Sequence, residues 1–408
     1  MNVSWGLLLA VAIAIRLAFV FLLPFGQKIE HHLEGLNDEP AHFNYVKYCA
    51  VHRALPVQTE TVKNRGAFER NVFEYYQPPL YYVCGSLFYA AFGERYSFFC
   101  CRLFSFLCGI LTVMLIGHVA AMITRERALA AGVLLFAALL PTPAYFSALV
   151  SNDALSWLFA ALITCELVKA GDPRTLALLP WRRVVSLSCC LTAGMLTKSS
   201  LAVFYPLIIG YFAWGGFRKR GRALLGQGCI VVASSLLLAA PWYLRNLHLY
   251  GSLFAINMGF GAAAGHLSGV SSFASLARRT VHYFWFPMQH VVSGSMGTKM
   301  CNLAGGLLVA VHGGAALWYL LRQKERAFGT AMLASLLVLA CFAYINLNSA
   351  YSEPEGRFLL PAFAAIAFFF VAPAYTLLGR FGNKLPALAE ITAVAMFPYL
   401  FLLFARSA

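Results

Sequence analysis

The sequence predicts an all-α, polytopic membrane protein of about 11 transmembrane helices, with additional juxtamembrane helices in its first outer loop. Three observations carry that reading. Of the 408 residues, 60% are hydrophobic and only 12% are charged, about half the charge of a soluble domain. Mean hydropathy is +0.70. Apolar blocks that match the about 20 residues of a membrane-crossing helix recur along nearly the whole length. The chain therefore reads as one membrane domain over 1–408, with no separate soluble C-terminal domain.

The first block, residues 3–25, has no basic leader or small-residue cleavage site, and it is longer than the apolar core of a signal peptide. It is read as a retained span. Further spans are expected at 102–123, 128–148, 153–170, 184–200, 201–217, 223–243, 302–321, 327–346, 358–378 and 385–405. The stretch "PPLYYVCGSLFYAAFG" at 78–93 is short for a crossing and reads as a helix lying in the interface. Its status fixes the sidedness of everything after it. If it does not cross, the Lys/Arg-rich loops at 124–127, 180–183, 217–222, 322–326 and 379–384 all share one side, as the positive-inside rule requires. The N-terminus is then cytoplasmic in a plasma (inner) membrane, and the outer face receives 26–101, 151–153, 197–200, 244–301 and 346–357.

The net charge of +15 is absorbed by those cytoplasmic anchors and gives no reason to invoke nucleic acid. Most of the 11 cysteines lie inside apolar blocks, where Cys acts as a small hydrophobe, and none has zinc-ligand spacing. No inverted similarity relates the two halves, which weighs against a secondary transporter.

Polar residues that are not cytoplasmic anchors gather in the outer pieces. In "NDEPAHFNY" (37–45), Pro40 suits the first turn of a helix, so Asp38 or Glu39 would stand at its cap and His42 one turn on. The alternative to a plain cap is a carboxylate that orients an attacking hydroxyl or amine. "FEYYQPPLYYV" (73–83) has two prolines suited to a helix start and tyrosines suited to the headgroup zone. That belt reading accounts for Tyr81 and Tyr82 better than for Glu74 and Gln77. Arg102, Lys198, Arg245 and Arg357 fall at outer ends of spans. Each alone suits snorkelling to headgroups, but together they suit an anion arriving from the membrane, such as a lipid phosphate. Arg16 lies in the middle of the first span and needs a partner there, while Asp153 suits a cap.

Seven motifs in order then resemble one family. They are the Asp38-Glu39 pair with "HFNY", "YYQPPLYY" (75–82), "RLFSFLCGILTV" (102–113), "SNDAL" (151–155), "LTKSS" (196–200), "PWYLRNLHLYG" (241–251) and "EGRFLLPAF" (355–363). The chain resembles the GT-C superfamily of membrane glycosyltransferases, in the protein mannosyltransferase and lipid A aminoarabinose transferase branch. The resemblance implies transfer of a single sugar from a polyprenyl-phosphate donor to a glycolipid, glycan or protein acceptor, with inversion, at the outer face. It implies Asp38 as the catalytic acid, and places Glu39, Arg102, Lys198 and Arg357 near acceptor or donor phosphate. With the reading of the outer-face cations, the expected catalytic residues are Asp38 and Glu39, and the expected donor-phosphate ligands are Arg102, Lys198, Arg357 and Arg245. His42, Tyr76, Gln77 and Glu355 are expected to contact acceptor or sugar. Gln77 stands where some relatives carry a basic residue. A divalent metal could share the charge stabilisation, but no sequence feature demands a cofactor. The rival readings are a flippase or transporter for lipid-linked sugar, and a catalytically inactive partner subunit.

Overall fold

The computed structural model describes residues 5–23, 38–59, 74–176, 178–217, 222–255, 275–278, 280–281, 284–285, 296–322, 328–348 and 356–379. The expected last span at 385–405 and the expected site residue Glu355 lie outside these.

The described chain is helical, beginning with α1 (Trp5–Leu22), α2 (Glu39–His52) and α3 (Leu80–Thr124). These are followed by α4 (Arg127–Leu139), α5 (Pro141–Phe146), α6 (Asp153–Ala170) and α7 (Trp181–Met195). A 3-10 turn, Ser199–Val203, leads into α8 (Phe204–Gly216), and α9 spans Arg222–Tyr250. After these come α10 (Met296–Arg322), α11 (Phe328–Asn348), a second 3-10 turn Gly356–Ala362, and α12 (Phe363–Gly379). Among the described residues, 6 helices are long and apolar enough to cross a membrane, and the chain is a multi-pass membrane protein. Leu236, Leu237, Leu238, Trp214 and Val338 turn outward on these helices, as lipid-facing residues do.

Four local decisions shape the site. The first is Gly93, whose φ of 71° and ψ of 175° break α3 into a short helix before it and a long one after. Only glycine reaches this backbone region without strain. The first half, 80–92, is about 20 Å long, short of the about 30 Å of a bilayer core, and α2 packs against it. The expected interfacial helix at 78–93 corresponds to this half.

The second is a break inside the expected span 128–148, which is not one helix but two. Leu140 is extended (φ −60°, ψ 123°) because it precedes Pro141, which starts α5. The carbonyls freed at the end of α4 are met by Arg16 from mid-α1. Its Nη1 donates to Ala138 O (2.9 Å) and Ala12 O (3.3 Å), and its Nη2 donates to Ala137 O (3.4 Å). This gives Arg16, fully buried, the role that the sequence left open. Irregular backbone at this depth survives because protein covers it on all sides.

The third is the buried turn 147–152 between α5 and α6, which passes so close to α3 that a Cβ on Gly109 would lie 2.4 Å from Ser147 Cβ. Small residues permit the same close approach along α4, "RALAAGVLLFAAL", which is buried against α1, α3 and α12.

The fourth is the aromatic packing between α2 and α3. Tyr45 stacks on Tyr82 with centroids 3.8 Å apart, and Tyr81 and Tyr82 are completely buried. The headgroup-belt reading of those two tyrosines is therefore overturned. The Tyr81 hydroxyl lies 2.8 Å from Ser105 Oγ and accepts from the Ser151 N–H (3.2 Å), tying both halves of α3 to the turn before α6.

Candidate active site

Five helix or turn starts converge on one end of the bundle: the N-termini of α2 and α6, the segment 74–79 before α3, and both 3-10 turns. Each brings polar side chains that the apolar spans exclude. Asp153, the first residue of α6, stands at the centre. Its Oδ1 accepts from Lys198 Nζ at 2.5 Å, and its Oδ2 accepts from Arg357 Nη1 at 3.3 Å and from Ser151 Oγ at 3.2 Å. Arg357 reaches onward, its Nη2 donating to Asp38 Oδ2 at 2.8 Å. Phe146 and Phe358 flank the Arg357 guanidinium at 4.6 and 5.4 Å. This chain of charges is closed to solvent except at one end. The side chain of Asp153 is 2% exposed, that of Arg357 6% and that of Lys198 11%, whereas that of Asp38 is 27% exposed.

Asp38 does occupy the cap position of α2, with Pro40 in the first turn, but its side chain makes no capping bond. Its carboxylate is turned to Arg357 instead. Arg357 outcompetes a neutral backbone N–H for it, because two full charges attract each other on top of the hydrogen bond.

Glu39 and Arg102 part company with the expectation. They form a closed pair, with Arg102 Nε to Glu39 Oε1 at 2.8 Å and Nη2 to Oε2 at 2.6 Å, and their side chains are 1% and 0% exposed. Glu39 also accepts the Val150 N–H (2.7 Å), and Arg102 donates to Val20 O and Leu23 O. Both are committed on all sides to joining α1, α2, α3 and the 147–152 turn. Both lie behind Asp38, sealed from solvent at 1% and 0% exposure, and neither reaches the open end of the charge cluster. Arg245 is likewise taken elsewhere. It donates to Pro56 O (2.6 Å) and lies over Trp242, holding the 55–59 segment onto α9.

Two further groups border Asp38. His42 lies one turn along α2, stacked on Tyr82, with Nδ1 2.7 Å from the Tyr82 hydroxyl. Burial lowers its pKa to about 4 despite the pull of Asp38, so the imidazole is neutral near pH 7. Glu74 is 4% exposed, and burial, reinforced by the Asp38 charge, raises its carboxyl to about 8. Ligand atoms of Asp38, His42 and Glu74 lie within 4.8 Å of one another. Gln77 borders this group through Asn152, whose Nδ2 donates to Gln77 Oε1 (3.4 Å) and to Thr197 O (3.0 Å). Tyr76 is buried in the wall beside it, its hydroxyl accepting from Gln77 Nε2 at 3.3 Å.

The structure thus brings together Asp38, His42, Gln77, Lys198 and Arg357, and adds Asp153 and Glu74. Asp153 was legible only as a cap. The signal that could have promoted it was its position in an apolar stretch, where an acid must be paired to be buried.

Residues 76–244 match the family model for dolichyl-phosphate-mannose-protein mannosyltransferase. No curated protein sequence matches the chain. Among solved structures, the chain is similar to the oligosaccharyltransferase of Archaeoglobus fulgidus in complex with zinc and sulfate, at 12% identity and a TM-score of 0.60. That similarity covers 97% of this chain and 52% of the other. It is also similar to ArnT from Cupriavidus metallidurans bound to undecaprenyl phosphate, at 15% identity and a TM-score of 0.59, covering 96% of this chain and 64% of that one. A third, the Archaeoglobus fulgidus protein AglB with an inhibitory peptide and a dolichol-phosphate, aligns at 13% identity and a TM-score of 0.58. The chain spans about half to two thirds of the length of these proteins. It shares the polytopic helical fold of these solved structures.

Proposed function

We propose that a chain with this GT-C fold transfers a single sugar from a polyprenyl-phosphate donor to an acceptor at the outer face of the membrane, with inversion at the anomeric carbon. One observation carries the reading: in a charge cluster otherwise sealed from solvent, Asp38 is the carboxylate left open, and it is backed by Arg357 and Lys198.

The chemistry follows from that arrangement. The acceptor's hydroxyl or amine donates a hydrogen bond to Asp38 and is aimed at the anomeric carbon. Arg357 fixes the Asp38 carboxylate in position, so that it holds and aims its hydrogen-bond partner. As the new bond forms, the glycosidic bond to the lipid phosphate breaks, and the leaving phosphate carries the electron pair away. Lys198 uses one of its three N–H donors on Asp153, which leaves donors for a phosphate oxygen. Cations fixed in advance in a water-poor site stabilise such a charge without reorganising. The Lys/Arg-rich loops at the opposite ends of the helices support placing this site outside.

The test is Asp38→Asn in purified, lipid-reconstituted protein supplied with a panel of polyprenyl-phosphate sugars. Release of polyprenyl phosphate and labelling of acceptor should disappear. Full transfer by the variant overturns the assignment. Labelled lipid crossing the vesicle without covalent transfer would favour a flippase instead.

A further inference from the structure

We propose that Glu74 is the final acceptor of the proton given up by the attacking group, and that Asp38 hands it on. The inference rests on the transferase reading and adds a second carboxylate to its chemistry.

Three observations carry it. A carboxylate oxygen of Glu74, one of Asp38 and a ring nitrogen of His42 lie within 4.8 Å of one another. One bridging water, with two hydrogen bonds of about 2.8 Å, spans that distance. Next, Glu74 is 4% exposed, and its Oε2 has no hydrogen-bond partner. A bare carboxylate oxygen is costly to bury, and a proton there removes the charge that makes it so. Finally, the surroundings set Glu74 apart from the imidazole beside it. Burial, reinforced by the Asp38 charge, raises its carboxyl to about 8 against the pull of Lys198, Arg357 and the Gln77 side chain. Burial takes His42 the other way, to about 4, so the ring gives up a proton where Glu74 holds one. Two further titratable groups border the cluster and are already engaged. Asp153 of α6 is bound to Lys198 and Arg357, and the Tyr82 hydroxyl of α3 lies 2.7 Å from His42 Nδ1.

The proton's path follows the transfer. The acceptor's oxygen or nitrogen bonds to the anomeric carbon, the bond from that carbon to the lipid phosphate breaks, and the phosphate leaves with the electron pair. The proton on the attacking atom moves to the Asp38 oxygen that Arg357 does not hold. Left there, it would set a neutral carboxyl against the buried Arg357 guanidinium. Passed to Glu74 Oε2, it neutralises a buried charge instead, and the Asp38–Arg357 pair is restored. Glu74 releases the proton to water at the open end of the cluster after the product leaves. Each turnover therefore starts from ionised Glu74, whose share rises about tenfold per pH unit below its pKa and levels off above it.

The test has two arms, both on full-length protein in lipid nanodiscs. Without sugar, infrared difference spectra should show one protonated carboxyl lost as pH rises through about 8. That band should be absent in Glu74→Gln and present in Glu94→Gln, an exposed carboxylate paired with Lys47. The second arm follows release of polyprenyl phosphate against pH. The donors are polyprenyl-phosphate mannose and polyprenyl-phosphate aminoarabinose, and the acceptor is envelope from cells lacking this chain. Glu74→Gln should lower kcat at least about a hundredfold and flatten the pH profile, with KM for donor unchanged. Each variant is checked for a cooperative melt. In Glu74→Asp, which keeps an acid there, the midpoints of the band and of the rate should shift together. Full kcat or an unchanged slope in folded Glu74→Gln overturns the proposal. A band that survives that substitution, or midpoints that part in Glu74→Asp, overturns it as well. A wild type that titrates at Glu74 yet releases polyprenyl phosphate from neither donor overturns the transferase reading and, through it, this role.

Discussion

Asp38 and Glu39 are adjacent, yet the structure predicts opposite consequences for losing each charge. Glu39→Gln replaces a carboxylate that accepts two N–H bonds from Arg102 and one from Val150, in a pair whose side chains are 1% and 0% exposed. The amide can keep one acceptor but turns an N–H toward the guanidinium and leaves the Arg102 charge uncompensated in the protein interior. Removing one partner of a buried pair costs about 3–5 kcal/mol. That is a large part of the about 5–15 kcal/mol that holds a domain folded. Asp38→Asn loses the charge behind one hydrogen bond, at a side chain 27% exposed, and an amide oxygen still accepts from Arg357. Its expected cost is about 1 kcal/mol or less. Thermal unfolding followed by size-exclusion chromatography should therefore rank wild type close to Asp38→Asn and well above Glu39→Gln. The transfer assay should rank Asp38→Asn at the bottom. Combining Glu39→Gln with Arg102→Met should recover much of the lost stability, because no buried charge is then left unpaired. Equal melting temperatures for Asp38→Asn and Glu39→Gln, or no recovery in the double variant, would refute the division into an open acid and a closed strut.

Other outcomes follow from the same geometry. Arg16→Met should destabilise the protein by about 1–3 kcal/mol for each carbonyl left without a donor, seen as a lower melting temperature. Gly93→Ala should cost about 1–3 kcal/mol through backbone strain alone, because no atom lies within 4 Å of the added methyl group. Lys198→Gln and Arg357→Gln should each weaken use of the polyprenyl-phosphate donor, read as a lower kcat/KM for donor, while unchanged donor dependence in both would remove them from the phosphate site. Cysteines placed by Arg95→Cys and Arg125→Cys should react with impermeant reagent from the outside and the inside respectively, and the reverse pattern would invert the topology.

Much of the fold was legible because hydropathy and helix punctuation act locally. The start of α6 at Asp153 follows from "SND" before an apolar run, and the independence of 80–92 follows from its length and the charge pattern of the later loops. The break at Leu140 escaped because hydropathy is continuous across it. Pro141 and Pro143 marked the place, but the break is stable only because Arg16 arrives from another helix to take the freed carbonyls. Tyr81 and Tyr82 were misplaced for a similar reason. An amphipathic ring suits either a headgroup or a buried hydrogen bond, and the choice depends on what α2 lays over it.

By itself the sequence determined the class of protein, the place of most helices among the described residues, and which few charged residues stand apart from the Lys/Arg-rich loops. A buried charge must have a partner, so an acid or base inside an apolar chain announces that it is paired. It does not announce with whom. Arg102 finds Glu39 across 63 residues, Arg357 finds Asp153 across 204, and Arg357 finds Asp38 across 319. Pairing energy depends on distance through space and on the dielectric around the pair, and only the packed helices fix either quantity. Tertiary structure alone therefore decided that Glu39 is sealed into the frame while Asp38, one residue earlier, faces the site.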